Sequence, residues 1–93
     1  MSHPSHISNE ELWEFPHDFP LSVMGRASDP MRDIVADIVQ RHVPGFDAGS
    51  LTLHASSKGT WVSVRGLVRI DTKDQINGIY AELAADRRIR MAL

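Results

Sequence analysis

The sequence predicts an α+β fold: a four-stranded antiparallel sheet with two helices packed on one face, in the order strand, helix, strand, strand, helix, strand. Three observations carry that prediction. A hairpin pattern runs from Ser50 to Ile70, two stretches place apolar residues at helical spacing, and a short alternating stretch lies before the first helix and after the second. Two amphipathic helices each have one face to bury, and a single sheet face receives both. With 93 residues, 42% of them hydrophobic and 24% charged, the chain is expected to form one core, burying roughly 60–70% of the surface its unfolded form exposes.

Residues 1–14 read as a flexible acidic segment, since Glu10, Glu11 and Glu14 stand there without a lysine or arginine. Leu12, Trp13 and Phe15 are too apolar for a free tail and are expected to pack on the edge of a domain spanning 15–93. Phe19 to Gly25 reads as the first strand, with Phe19, Leu21 and Val23 on one face and Ser22 and Met24 on the other. Arg26 to Asp29 connects it to a helix that starts at Asp29-Pro30, where the Asp29 carboxylate is expected to cap free amides. Met31, Ile34, Val35, Ile38 and Val39 form the buried stripe, and Pro44-Gly45 ends it.

In the hairpin, a two-residue turn at Lys58-Gly59 sets Ala55 opposite Val62, Leu53 opposite Val64 and Leu51 opposite Gly66, all inward. Ser56 then faces Trp61, His54 faces Ser63 and Thr52 faces Arg65, a mostly polar outer set. A slip of one residue would set apolar against polar, so the pattern fixes the register. Thr72 and Gln75 match a capping box. Ile76, Ile79, Tyr80 and Leu83 follow as the stripe of the second helix, which closes near Ala85 or Asp86. Ile89 to Leu93 alternates as the last strand. Right-handed crossovers turn this βαββαβ order into the ferredoxin-like arrangement, with the first and third strands central.

A sheet covered on one side leaves the other open. Its outward positions are expected to be Ser22, Met24, Thr52, His54, Ser56, Trp61, Ser63, Arg65, Leu67, Arg69, Arg90 and Ala92, a set without an acid. Trp61, Arg65, Leu67, Arg69 and Arg90 are the candidate interface for a protein partner. The same face argues against nucleic acid: one tryptophan is not a stacking platform, Thr60 and Val62 stand where the RNA-recognition signature places aromatics, and a net charge of −2 supplies no general attraction. The connection Gly25, Arg26, Ser28 and Asp29 is the candidate ligand-binding site, because a strand leading into a helix N-terminus offers amides and a dipole to an anionic group.

Other chemistry is expected to be absent. No cysteine, clustered histidines or paired acids in a cleft suggest a metal, a cofactor or a catalytic constellation, so the sequence reads as non-enzymatic. Ser56 to Thr60 lacks the long glycine-rich loop of a phosphate cradle and reads as a turn. There is no apolar run of membrane-spanning length and no secretory start, and a cytoplasmic setting is expected.

The stretches F-P-H-D-F-P-L-S-V-M-G (Phe15–Gly25), S-S-K-G-T-W-V-S-V (Ser56–Val64) and R-M-A-L (Arg90–Leu93) resemble the motifs of the YbeD-like proteins, small bacterial chains of unknown function. The chain departs from that pattern at Thr60-Trp61, where Asn-Tyr is frequent, and at Ser22, where lysine is common. The resemblance implies a ferredoxin-like fold similar to the ACT-type regulatory domain of phosphoglycerate dehydrogenase. Such domains bind small molecules, often amino acids, near the first strand-to-helix loop, commonly where two domains pair. By that analogy the chain is expected to be a small-molecule-sensing or regulatory domain. Its expected partners are a small anionic metabolite or amino acid, a second copy in a homodimer, or another protein. The alternative is an adaptor that uses the open sheet face, with RNA binding on that face a distant third.

Overall fold

The two most apolar strands pair at the centre of the sheet. In a computed structural model, residues 14–93 are described. They form β1 (His17–Arg26), α1 (Met31–His42), a 3-10 turn (Ala48–Ser50), β2 (Thr52–Ala55), β3 (Trp61–Ile70), α2 (Lys73–Ala85) and β4 (Ile89–Ala92). The sheet order is β2-β3-β1-β4, antiparallel throughout, which is the ferredoxin-like arrangement. Residues 1–13 of the expected acidic segment, with Leu12 and Trp13, lie outside the described residues; Glu14 is exposed, and Phe15 packs against the core.

β1 begins at His17, two residues earlier than the alternation suggests, because β3 offers it partners along ten residues, from Trp61 opposite Arg26 to Ile70 opposite His17. Asp18 therefore joins the open face opposite Arg69, with the two side chains 3.5 Å apart. The face does carry an acid. Pro20 interrupts nothing: Ser22 exchanges both of its main-chain bonds with Leu93, so Pro20 turns the same edge outward, above the paired segment, where no amide is needed.

The hairpin register is the predicted one: Thr52 with Arg65, Leu53 with Val64, His54 with Ser63 and Ala55 with Val62. The turn differs. The Gly59 amide donates to the Ser56 carbonyl at 2.9 Å and the Ser56 amide to the Trp61 carbonyl at 2.8 Å, so Ser57 and Lys58 are the central residues of a longer loop. Lengthening by one residue on each side leaves the register untouched, and Gly59 takes the left-handed φ of 75°.

Burial departs from expectation on β2. The helices lie over β1, β3 and β4, so Leu53 on the edge strand stays 52% exposed and Ala55 is also exposed. Leu51, just before β2, is buried instead, and its Cδ2 occupies the space in which a Gly66 β-carbon would sit, 2.8 Å away. The gap in the apolar row of β3 is thus filled from a neighbouring segment.

β4 holds the other correction. Between Met24 and Gly25 the pairing shifts by one residue: Ala92 faces Val23 and Met91 faces Met24, but Ile89 faces Gly25. Arg90 is the extra residue of a β-bulge. Ile89 and Ala92 consequently both pack on the core, and Met91, not Ala92, stands on the open face.

The helix caps differ in kind. α2 has the full capping box: the Gln75 amide donates to Thr72 Oγ1, and Gln75 Oε1 accepts from the Thr72 amide at 3.2 Å. α1 has none of its own. Pro30 occupies the N-cap, and Asp29 offers only its backbone carbonyl, which accepts from the Met31 amide at 2.8 Å. The turn closed by the Asp29 amide on the Arg26 carbonyl places Asp29 one residue too early for its carboxylate to cap. At the far ends of the helices, Glu82 of α2 receives hydrogen bonds from Arg41 and contacts His42, both of α1.

Candidate functional site

Three separate stretches of chain converge at one end of the sheet. Arg26 ends β1, Trp61 begins β3 opposite it, and Arg90 sits in the bulge of β4 on the other side of β1. The guanidinium carbons of Arg26 and Arg90 lie 5.3 and 5.2 Å from the Trp61 ring centroid, within cation–π range. Asp29, Arg87, Arg88 and Ile89 complete the walls of a cleft of about 420 Å³. That volume falls within the range of small-molecule sites.

The cleft is held by main-chain bonds on both sides. The Ala27 amide donates to the Thr60 carbonyl at 2.9 Å, tying the β1–α1 connection to the hairpin loop. The Ile89 amide donates to the Asp86 carbonyl at 3.1 Å, closing the turn that carries Arg87 and Arg88. Within that turn Arg88 is chelated: its Nε and Nη2 donate to the two Asp86 carboxylate oxygens at 2.9 and 2.7 Å, and its backbone amide to Oδ1 at 2.9 Å. These hydrogen bonds hold the Asp86 carboxyl down to about 2. The same pair raises the Arg88 guanidinium further above its already high range.

The residues expected to bind a ligand are split by the structure. Arg26 and Asp29 line the cleft. Gly25 is buried beneath it, where an added β-carbon would lie 2.5 Å from the Met31 sulfur and 2.8 Å from the Arg88 carbonyl oxygen, so its part is to let α1 and the α2–β4 turn close on β1. Ser28 is exposed on the turn outside the cleft walls.

The expected interface residues also part company. Trp61 and Arg90 belong to the cleft. Leu67 and Arg69 lie at the opposite end of β3, roughly 20–26 Å away at the rise of an extended strand. There they border a groove of about 450 Å³ with the Val43–Asp47 loop and Gln75. Arg65 is exposed between the two ends, beside Thr52, whose hydroxyl donates to the Arg65 carbonyl at 3.3 Å.

Arg87 and Arg88 were not singled out from the sequence, although D-R-R-I-R (Asp86–Arg90) is the densest basic run in the chain. The α2–β4 turn, together with the bulge at Arg90, brings that run to Arg26 and Trp61. No cluster of three or more metal-ligating side chains occurs among the described residues. No helix among them is long and apolar enough to cross a membrane.

Comparison with known proteins gives the family. The profile described as a protein of unknown function (DUF493) matches residues 10–93. The chain belongs to that family. A UPF0250 protein of Shewanella sediminis is 44% identical over 84 residues, covering 90% of this chain and 93% of the relative. A UPF0250 protein of Shewanella woodyi is 40% identical over the same length. One from Pseudomonas paraeruginosa is 38% identical over 81 residues, covering 86% and 87% of the two chains. The YbeD-like resemblance is thereby shown: this DUF493 chain is one of the small bacterial proteins of unknown function.

Proposed function

We propose that the protein is a non-enzymatic sensing or regulatory domain of ACT-like type that binds a small anion in the cleft between Arg26, Trp61 and the Arg87–Arg90 segment. The observation that supports the reading most is the convergence of Arg26, Arg87, Arg88 and Arg90 on one cleft in a chain whose net charge is −2. Arginine is the side chain suited to carboxylate and phosphate, because its planar fork offers paired donors. The cleft adjoins the first strand-to-helix connection, near which the ACT-type domains that the chain is expected to resemble bind small molecules. Fold-level analogy alone would not support a function; the basic cleft gives it a chemical footing. The proposal extends to a homodimer or a partner protein that reads the liganded state.

The test is an amide-resolved NMR titration of the full chain with pools of amino acids, small carboxylic acids and phosphate compounds. Saturable shifts confined to Arg26–Asp29, the Trp61 indole and Arg87–Arg90 are the expected outcome. Silence of every pool at millimolar concentration overturns the reading.

A second reading, a protein–protein adaptor, is favoured by the open face, where Leu67 and Met91 stay 62% and 50% exposed. It expects Leu67→Ala to abolish partner capture while anion titrations do nothing.

A further inference from the structure

From the charge balance of the cleft we infer that its ligand carries a dianionic phosphoryl group, as in a phosphate monoester; this rests on the anion-sensing reading above. Arg88 is already neutralised by Asp86. Arg26, Arg87 and Arg90 have no carboxylate partner within ion-pair distance among the described residues, and Asp29 is the one acid that lines the cleft. Three unpaired guanidiniums against one carboxylate leave a surplus of two positive charges. A zwitterionic amino acid carries no net charge and a monocarboxylate carries one, so neither balances the site. A phosphate monoester carries between about 1.5 and 2 negative charges at pH 7 and three acceptor oxygens.

The geometry agrees with the charge. Arg26 and Arg90 each lay a guanidinium against the Trp61 ring. Guanidinium planes stack on aromatic faces and keep their N–H edges for other partners. Trp61 thus orients two cations before a ligand arrives, which lowers the entropy cost of ordering them on binding. Arg87 is carried in the turn that Asp86 rigidifies through Arg88. The chelated pair therefore acts as a frame for the free arginine beside it. Phosphoryl oxygens, set on a single atom, suit donors that converge from several directions; two carboxylates of one ligand would need donors held apart.

Isothermal titration and amide NMR of the full chain at low salt test this with inorganic phosphate and glycerol 3-phosphate as probes, against acetate, glycine and malonate. Both phosphates are expected to bind at least about tenfold more tightly than acetate or glycine, because the second ligand charge adds to the attraction. Their affinity should fall as pH drops from 8 to 5.5, since both probes take up a second phosphate proton in that window, the monoester with a pKa of about 6 and inorganic phosphate at a somewhat higher pH. Arg26→Ala and Arg87→Ala should each weaken phosphate at least about fivefold, a charge-assisted hydrogen bond being lost. Arg65→Ala, on the same sheet face but outside the cleft, should change it less than about twofold. Acetate or glycine binding as tightly as phosphate overturns the dianion inference and leaves the sensing reading standing. Malonate matching phosphate overturns the phosphoryl assignment. Silence of all five probes overturns both, and equal losses from Arg65→Ala and Arg26→Ala assign any binding to general surface charge and overturn the site.

Discussion

The His42 ring lies against the α-carbon of Gly78 so closely that a β-carbon added there would come within 2.5 Å of it. Two opposed effects meet at this contact. Alanine in a helix interior is favoured over glycine by about 0.5–1 kcal/mol, whereas crowding a packed contact costs about 1–3 kcal/mol. Gly78→Ala is therefore expected to destabilise by about 1 kcal/mol, the ring being pushed away from Glu82. In a His42→Ala background the same substitution should stabilise by about 0.5–1 kcal/mol. Urea unfolding of the four proteins measures the reversal of sign. Destabilisation in both backgrounds would show that the ring is not what Gly78 accommodates.

Gly25→Ala is expected to be far harsher, by about 2–3 kcal/mol. Its β-carbon meets the Arg88 carbonyl as well as the Met31 thioether, and backbone does not swing aside. Trimming Met31 should give little relief for that reason. Gly45→Ala, with nothing within 4 Å of an added β-carbon, should shift the urea midpoint by less than the equivalent of about 0.5 kcal/mol.

Thr72→Ala removes the hydroxyl that accepts from the Gln75 amide at the start of α2. A loss of about 1 kcal/mol is expected. Hydrogen exchange should rise first at Asp74 and Gln75; exchange unchanged there, with global stability intact, would show that the Thr72 side of the capping box contributes nothing.

Acid should loosen the helix ends. Hydrogen bonds from Arg41, then from His42, lower the Glu82 carboxyl, and Arg88 holds Asp86 at about 2. Both carboxyls are depressed in the folded state, so their contribution is complete above the ordinary carboxylate range near about 4. It is lost as pH falls below that range, down to about 2 in the case of Asp86. Glu82→Gln and Asp86→Asn should each be less stable than the parent at pH 6, and the gap should shrink as pH falls through the carboxylate range, closing for Asp86→Asn only below about pH 2. Parallel stability curves across that window would sink the assignment.

The fold was legible because its signals are periodic and local. The alternation of Leu53 and Ala55 with Val62 and Val64 set a register that the sheet keeps, and Thr72 with Gln75 named its own helix end. How far the helices reach is a tertiary matter, so the same alternation said nothing about Leu53 being left uncovered and Leu51 being buried in its place. The site was half legible. Arg26 and Asp29 follow from the strand-to-helix connection, and Trp61 and Arg90 from the open face, but a period of two cannot announce the residue that breaks it. Reading Ile89 to Leu93 as one uninterrupted phase sent Ala92 outward and left Arg87 and Arg88 unconsidered.

That extra residue at Arg90 also separates two tasks that a regular strand would bind together. On one side of it, Ala92 and Met91 stay locked to Val23 and Met24; on the other, Ile89 is anchored opposite Gly25 while Arg90 turns toward Trp61. The bulge works as a phase joint. The faces that Met91 and Ala92 present are thereby set independently of the direction Arg90 takes, so the core side of the strand and its cleft side are held by separate pairings.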